Sequence, residues 1–415
     1  RRGSGVIWVA PGHYSGDANK NLTWGRGPDG QPNQRHVQLI CQDPAGGCVI
    51  DLENDGRAFI FSATPDENYV IDERDAVEGF TIRNGNARDL PNGHGGAVYI
   101  SGRNGPNARA GRASGVPQRL APIFKGNIFE GNLASEGGAI YVEGGEPSFI
   151  TNVFRRNRAN EQGGALAIRN TATPCAVARE NSAGGDLRPY IQGNRFESNC
   201  VGLNECGEAT ESSGPGLGGA VAVIGACRGV FEGNLFIANR ALDGGGGVSL
   251  GPGPTHVTLS NNVFLQNAAQ VGSAVHIEGE FAASFLVNNT LIDHPFPSGS
   301  SGRNISGVAG RDDVSLVMVG GPTTPDQGVT IIRNSLLEPV WGTLAIKFLP
   351  GVFASLSHSA YPAGGLWIDE LDSAVRREHN IELGDGSTSP SCLTGLADNY
   401  NLSRNAPCVD AGSME

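Results

Sequence analysis

The chain has 415 residues, a net charge of −12 and only 17% charged residues, so a general affinity for nucleic acid or for an anionic membrane surface is not expected. Its 62 glycines are about twice the average usage, and their spread through a hydrophobic pattern predicts corners of a regular structure and not disorder. No stretch reaches the roughly 20 apolar residues of a transmembrane helix. No signal peptide opens the chain, and we expect that a targeting segment has been removed.

The first hundred residues predict short strands separated by polar connections. Residues 6–14 predict a strand that ends in a Pro-Gly turn, and residues 15–35, rich in Gly, Asn and Pro, predict a loop. Further strands are predicted at 37–40, 48–51, 59–61 and 79–85. The acidic groups Asp66/Glu67 and Asp72/Glu73/Asp75 are dense enough to bind a cation weakly, but a solvated acidic loop explains them more simply. No cofactor or metal is predicted, and Ca²⁺ has no direct support.

Residues 126–277 repeat one phrase five times. Each copy reads N-x-F-x-x-N and is followed by G-G-A-[ILV] or a close variant, about every 25 residues where nothing is inserted, which is a period typical of solenoids. The aromatic residues of the phrase are expected to stack as an interior column: Phe129, Phe154, Phe196, Phe236 and Phe264. The asparagines that close it suit a tight corner, because Asn tolerates the left-handed conformation and bonds nearby backbone: Asn132, Asn157, Asn199, Asn239 and Asn267.

The residues after each Gly-Gly-Ala alternate with a period of two, which predicts a strand. Pairs such as Ile140/Val142 and Leu166/Ile168 are expected to face inward. The residues between such pairs are mixed in character and are predicted to be exposed: Tyr99, Tyr141, Ala167, Ala222, Ser249 and His276. The paired glycines suit a second corner that needs positive φ or close backbone approach. The repeat therefore predicts an all-β fold, a single-stranded right-handed parallel β-helix of a dozen or more coils with loop insertions.

The combination of F-x-x-N with G-G-A-[ILV] resembles the repeats of chlamydial polymorphic outer-membrane proteins and of secreted bacterial right-handed parallel β-helix proteins. The resemblance covers roughly residues 77–289, about half of the chain. It implies the β-helix fold and a place at the cell surface or outside the cell. The motifs of that family are structural, so the resemblance brings no catalytic residues with it.

One domain is predicted over residues 1–415. Residues 1–76 form N-terminal coils, residues 77–289 form the repeat core with insertions at 101–120, 171–189 and 200–217, and residues 290–415 form C-terminal coils with a disulfide-stapled tail. The last two insertions are expected to enter at different corners of neighbouring coils. The first insertion carries basic residues and no acid, so it is either a solvated surface loop or an arm that grips an anionic glycan or acidic partner: Arg103, Arg109, Arg112 and Arg119.

The eight cysteines predict local disulfides. Cys41 and Cys48 bracket a turn, Cys200 and Cys206 share one insertion, Cys392 and Cys408 flank the last segment, and Cys175 and Cys227 remain as a long-range pair. Zinc binding is the alternative, but no C-x-x-C occurs and no His stands at ligand spacing. Disulfides place the chain in an oxidising compartment, which means secreted, periplasmic or on the cell surface.

These features favour a non-catalytic secreted or surface protein with a structural, adhesive or assembly role. It would bind a protein or glycan at a cell surface through rigid insertion loops, or associate with itself or a partner through an end of the β-helix. The alternative is a polysaccharide lyase or glycoside hydrolase acting on an acidic glycan. Gly93-His94-Gly95, Asp312-Asp313 and Ala345-Ile346-Lys347 echo hydrolase motifs of parallel β-helices, but in the wrong order and far apart.

Overall fold

A computed structural model describes the chain except for residues 1–4, 25–35, 45–46, 63–70, 103–119, 170–188, 205, 207, 210–214, 226–228, 252–255, 279–282, 293–314, 321–329, 334, 339–343, 350–351, 363–365, 369–373, 379, 384–392, 395–400 and 403–415. The described chain winds through three long parallel sheets, so the predicted parallel β-helix is confirmed. Two of the sheets hold twelve strands each, which corresponds to a rod on the order of 60 Å long.

Each of the first eleven coils places one strand in each sheet, in the order first, second, third, and the described part of the twelfth coil adds one strand to the first sheet and one to the second. The first sheet contains Gly5–Val9, Val37–Cys41, Ala76–Glu78, Ile123–Lys125, Ser148–Ile150, Tyr190–Gln192, Gly229–Glu232, His256–Ser260, Ala283–Val287, Thr330–Arg333, Phe353–Ser357 and Ala374–Glu378. The second sheet contains Gly12–Tyr14, Cys48–Asp51, Phe80–Arg83, Ile128–Glu130, Val153–Arg155, Arg195–Glu197, Leu235–Ile237, Val263–Leu265, Thr290–Ile292, Leu336–Glu338, Ala360–Pro362 and Ile381–Leu383. The third sheet contains Leu22–Trp24, Phe59–Ser62, Val98–Ser101, Ile140–Glu143, Leu166–Arg169, Val221–Ile224, Val248–Leu250, Val275–Ile277, Ser315–Val319, Leu344–Phe348 and Leu366–Ile368.

Smaller elements complete the described chain. A four-stranded parallel sheet of Leu133–Glu136, Arg158–Gln162, Cys200–Val201 and Arg240–Ala241 lies between the second and third sheets in the repeat core. Leu203–Asn204 pairs with Glu208–Ala209, Leu393–Thr394 pairs with Asn401–Leu402, and Asp17–Asn19 is a 3₁₀ turn. Each coil that contributes to the small sheet therefore has four parallel strands.

Residues 15–35 are not all loop, which corrects the prediction. Leu22–Trp24 forms the third strand of the first coil and pairs with Phe59–Phe61 of the next coil. Trp24 is only 9% exposed and stacks on Phe61 with ring centroids 4.7 Å apart. One buried tryptophan in a polar segment is enough to hold a three-residue strand against a neighbour, and composition averaged over twenty residues conceals it.

The interior of the repeat core is an aromatic ladder on the second sheet. Phe129, Phe154, Phe196, Phe236 and Phe264 are fully buried, and successive rings stack with centroids 4.6–4.9 Å apart. This spacing is the distance between neighbouring strands of a sheet, so the register of the parallel strands sets the ring separation. The ladder is the interior column that the repeat phrase predicts.

Two further ladders are built from asparagine side chains at the corners. Asn157 Nδ2 donates to Phe129 O at 2.9 Å and to Asn199 Oδ1 at 3.0 Å, and this pattern recurs from coil to coil. The asparagines are buried and bond backbone groups as predicted, but they are not left-handed, so that part of the prediction is wrong. The left-handed residue is the one before each asparagine, for example Gly131 or Arg156. The amide oxygen accepts from a buried backbone N–H at the corner, for example from Asn132 N to Asn157 Oδ1 at 3.1 Å.

The glycines of the Gly-Gly-Ala phrase have two separate roles. The first glycine has positive φ, for example 64° at Gly163. The second glycine is required by close approach, because a Cβ on Gly164 would lie 2.1 Å from Gly219 O of the next coil. Both roles match the reasons given by the sequence.

Candidate functional site

Most of the inserted sequence enters at one corner of the β-helix. This third corner joins each third-sheet strand to the first-sheet strand of the next coil. Insertion 101–120 runs from Val98–Ser101 to Ile123–Lys125, and insertion 171–189 runs from Leu166–Arg169 to Tyr190–Gln192. The two insertions leave the same side of the β-helix two coils apart, which is about 10 Å along its axis. Residues 103–119 and 170–188 lie outside the described residues, and so do the predicted arginines Arg103, Arg109, Arg112 and Arg119.

The coil between these two insertions crosses the same corner with only four residues, 144–147. Glu146 N donates to Leu120 O at 2.7 Å, and Ser148 N donates to Pro122 O at 3.0 Å. On the other side, Tyr190 N donates to Pro147 O at 3.1 Å. The scaffold on both sides of the inserted segments is therefore locked in backbone register, which fixes the positions from which they emerge.

Insertion 200–217 enters at the second corner, between the second and third sheets, so it differs from insertion 171–189 as predicted. It is partly built into the scaffold: Cys200–Val201 belongs to the small sheet, and Leu217 bridges to Gln162 and Gly244. The disulfide Cys200–Cys206 closes its first part, and Cys41–Cys48 closes a turn in the second coil. Cys175, Cys227, Cys392 and Cys408 lie outside the described residues.

The outward face of the third sheet is buried, and the prediction that it is exposed is wrong. Tyr99 is 9% exposed, Tyr141 is 3% and His276 is 4%, and the smaller residues of the column are similarly buried: Ala167, Ala222 and Ser249. The residues that precede each Gly-Gly-Ala phrase fold across this face and bridge one another from coil to coil: Glu136, Gln162, Leu217, Gly244 and Val271. Alternation in the sequence identifies the side of the strand but does not show that another segment covers it.

A small residue and a large residue pack against each other at this covered face. A Cβ on Gly244 would lie 2.6 Å from His276 Nδ1, so the glycine leaves the room that the imidazole occupies. Burial lowers the pKa of His276 to about 4, which favours the neutral ring. His276 is therefore a packed residue and not an accessible base.

Near the N-terminal end, the same covered face holds a polar cluster of Arg57, His94, Tyr99, Tyr141, Glu136, Glu143 and Arg169. The Arg57 guanidinium lies 5.1 Å above the centre of the Tyr99 ring, and the His94 ring stacks on Tyr141 at 4.5 Å. Arg169 Nη2 donates to Glu136 Oε1 at 2.7 Å, and the Tyr99 hydroxyl donates to Glu143 Oε2 at 3.3 Å. The cluster brings together acids, bases and cations from four successive coils.

Burial dominates the electrostatics of this polar cluster. It lowers the pKa of Arg57 to about 10 and, together with the charges of Arg169 and Arg57, lowers the pKa of His94 to about 4. Burial also raises the pKa of Glu136, although Arg169 opposes that change. Groups with such shifted pKa values often mark functional sites. Here Arg57 and Tyr141 are at most 3% exposed, so these two members of the cluster are closed to a polymer substrate.

Arg57 was missed by the sequence analysis, although a signal for it exists. Gly56-Arg57-Ala58-Phe59 is a divergent copy of Gly95-Gly96-Ala97-Val98, since Ala58 N donates to Ala97 O at 2.9 Å. Arginine therefore stands where later coils have their second glycine. Aligning the early coils to the repeat phrase would have singled it out.

The residues that echo hydrolase motifs are not brought together. His94 precedes the third-sheet strand of the third coil, whereas Lys347 lies seven strands further along the same sheet, roughly 34 Å away. Lys347 is 9% exposed, and Asp312 and Asp313 lie outside the described residues. The described part of the chain therefore assembles no hydrolase site from these motifs.

The acidic segment at 72–75 is not a solvated loop. Asp75 is fully buried, and its Oδ1 accepts from Trp24 Nε1 and Val37 N, each at 3.0 Å. His36 Nδ1 lies 2.7 Å from Asp75 Oδ2, and Asp72 is close enough to complete a group of metal-ligand type. Asp75 accepts these hydrogen bonds from Trp24 of the first coil and Val37 of the second, so its carboxylate ties the first coils together. Asp66 and Glu67 lie outside the described residues.

Comparison with known proteins supports the repeat assignment. Residues 128–143 match the Chlamydia polymorphic membrane protein (Chlamydia_PMP) repeat, which confirms the resemblance at one copy of the phrase. The matched segment runs from the second-sheet strand Ile128–Glu130 to the third-sheet strand Ile140–Glu143. No curated protein matches the chain. Among the described residues, no helix is long and apolar enough to cross a membrane. The two disulfides fit an extracytoplasmic location.

Proposed function

We propose that this chain is a non-catalytic, extracytoplasmic β-helix that binds a protein or glycan at a cell surface through the segments inserted at its third corner. The observation that carries the proposal is the emergence of insertions 101–120 and 171–189 from one side of a register-locked scaffold. Insertions in repeat proteins commonly form the binding face. The repeat match at residues 128–143 supports a location at the cell surface.

A rigid scaffold suits this role for a thermodynamic reason. Binding by a floppy segment costs ordering entropy, and anchoring both ends of a segment reduces that cost. Arg169 and Pro189 flank one insertion, and Gly102 and Leu120 flank the other. The fully buried Leu120 side chain fastens the second pair to the core. Docking through an end of the β-helix stays a separate prediction.

The test replaces one insertion with the short crossing used by the neighbouring coil. Substituting Gly-Gly-Glu for residues 170–188 gives Arg169-Gly-Gly-Glu-Pro189, which copies Glu143-Gly144-Gly145-Glu146-Pro147 at the same register. We expect a folded protein with unchanged melting temperature that no longer binds cultured cells or glycan arrays in a surface-binding assay. A second variant replaces residues 103–119 with a Gly-Ser linker and keeps Leu120. Full binding by both folded variants would contradict the proposal.

The alternative function, turnover of an acidic polysaccharide, has one observation in its favour. Arg169, whose side chain is 31% exposed, and the Tyr99–Glu143 hydrogen bond lie at the margin of the polar cluster, at the strand ends from which the insertions leave. The deciding assay offers acidic and neutral polysaccharides, with and without Ca²⁺, and measures unsaturated products and reducing ends. We expect no turnover. Activity above the blank that Tyr99→Phe abolishes would make the chain an enzyme.

A further inference from the structure

Arg57 of the polar cluster is a buried cation with unused hydrogen-bond donors. The residue is 3% exposed, and its Nε and Nη2 atoms are buried with no hydrogen-bond partner among the described residues. Burial lowers the pKa of Arg57 to about 10, so the side chain still carries its charge at neutral pH. A buried charge is normally paired and hydrogen-bonded, because an isolated charge in a low dielectric is strongly destabilising. Arg57 therefore needs an acceptor of opposite charge.

The carboxylates of the polar cluster do not serve Arg57. Glu136 Oε1 accepts from Arg169 Nη2 at 2.7 Å. Burial raises the pKa of Glu136 and Arg169 opposes that change, whereas Arg57 has no part in it. Glu143 Oε2 accepts from the Tyr99 hydroxyl at 3.3 Å. Besides burial, Tyr99 is the one described residue that shifts the pKa of Arg57, so no described carboxylate lies close enough to neutralise the guanidinium.

The two unused donors of Arg57 lie on one edge of its guanidinium. Nε–H and the neighbouring Nη2–H point in nearly the same direction, and such a pair of N–H groups binds one anion through two hydrogen bonds. The guanidinium carbon lies 5.1 Å from the centre of the Tyr99 ring. A ring face attracts the cation but does not replace an acceptor on this edge. The contact with Tyr99 and an anion on the donor edge are therefore compatible.

The surroundings of Arg57 restrict the size and the charge of the missing acceptor. A water molecule accepts N–H bonds but leaves the charge uncompensated, whereas an anion supplies both. Arg57 and Tyr141 are at most 3% exposed, so an acidic group carried by a polymer does not reach the donor edge. A single-atom anion needs the least room and accepts hydrogen bonds from any direction. The acceptor that fits is a small monatomic anion.

We propose that Arg57 binds one anion of the halide class on its Nε–Nη2 edge, inside the covered face of the third sheet. The anion neutralises the buried guanidinium and acts as a structural ion. Because Arg57 lies over Tyr99 of the next coil and Asn21 N donates to Arg57 O at 2.6 Å, the site ties the first three coils together. Binding to the folded chain couples the stability of this end of the β-helix to the anion concentration of the medium. The inference is independent of the proposed surface-binding function.

The test follows thermal unfolding of the full chain as sodium bromide replaces sodium gluconate at constant ionic strength. Gluconate is too large for the buried edge and is the reference anion. R57Q removes the charge and the two-donor edge. R83Q is the matched control, because Arg83 Nε donates to Asp51 Oδ2 at 2.8 Å and this variant removes a guanidinium that the chain already pairs. Wild-type crystals soaked in bromide locate the ion by its anomalous scattering.

We expect bromide at ten times its dissociation constant to raise the melting temperature of the wild type and of R83Q by roughly 2 °C, saturably, and R57Q to lose this response. The soaked crystal should show bromide within hydrogen-bond distance of Arg57 Nε and Nη2. An equal response in R57Q, no response in the wild type, or a water molecule or a carboxylate of the chain on this edge in the crystal would each overturn the proposal. The crystal of the wild type decides the question even where R57Q does not fold.

Discussion

The asparagine ladder at the first corner, between the first and second sheets, makes a sharp stability prediction at Asn194. Its Oδ1 accepts from the backbone N–H of Asn152 at 2.8 Å, and its Nδ2 donates to Phe149 O at 2.8 Å. Asn152 lies at the corner between two strands, whereas Phe149 lies in the first-sheet strand Ser148–Ile150. Replacing Asn194 with alanine therefore leaves the buried Asn152 N–H without its acceptor and removes one hydrogen bond to Phe149 O.

The expected cost follows from these two losses. An unsatisfied buried polar group costs about 1–3 kcal/mol and an ordinary hydrogen bond about 0.5–1.5 kcal/mol, so Asn194→Ala should lower the free energy of unfolding by roughly 1.5–4.5 kcal/mol. Asn152 Nδ2 also loses one acceptor but keeps Phe124 O at 2.9 Å, so it adds little. The same ladder continues through Ser335, whose Oγ accepts from Asn289 N at 3.3 Å. Asn194→Ser should therefore retain an acceptor for Asn152 N–H and lose about half as much.

Chemical denaturation of the two variants and of the wild type measures this difference, with hydrogen exchange as a local readout. The amide of Asn152 should exchange faster in Asn194→Ala than in Asn194→Ser, because only the alanine removes its acceptor. A loss below about 1 kcal/mol for the alanine variant, or equal losses for alanine and serine, would refute the reasoning that the ladder satisfies corner backbone groups.

Three further predictions concern the corners and the covered face. Thr151 is β-branched and has φ 51°, at the position where the neighbouring coils have Gly126 and Gly193. Thr151→Gly should therefore raise the free energy of unfolding by about 1 kcal/mol, and the reverse change Gly126→Thr should lower it. Thermal unfolding measures both changes. Gly164→Ala should destabilise by more than about 2 kcal/mol in the same assay, because its Cβ would meet Gly219 O; a melting curve like the wild type's would contradict the close approach. The fold favours the neutral ring of His276, so the contribution of this residue to the free energy of unfolding is fully present above pH 6.5 and falls by up to about 3 kcal/mol as pH falls from 6.5 to 4. His276→Gln should therefore make the unfolding midpoint depend less on pH over that window. An unchanged pH dependence would count against burial as the cause.

The repeat phrase is the part of the sequence that predicts the fold best. The five phenylalanines and the Gly-Gly-Ala corners recur at a period that permits only a solenoid, because each coil must bury its apolar face against the next. Secondary structure outside the repeat phrase is predicted less accurately. Leu22–Trp24 was predicted as loop, since one strand of three residues leaves almost no periodic signal.

The sequence by itself determined what repeats: the parallel β-helix, the interior aromatic column and the identity of the corner residues. These are local and periodic properties, and the pattern of one coil carries them in full. Only the tertiary structure decided what lies between coils. It buried Tyr99, Tyr141 and His276 under a segment from the preceding corner, and it placed Arg57 over the ring of Tyr99 in the next coil. Such neighbours are separated by whole coils in the sequence. They meet only when the coils stack, so the sequence of one repeat does not reveal the contact.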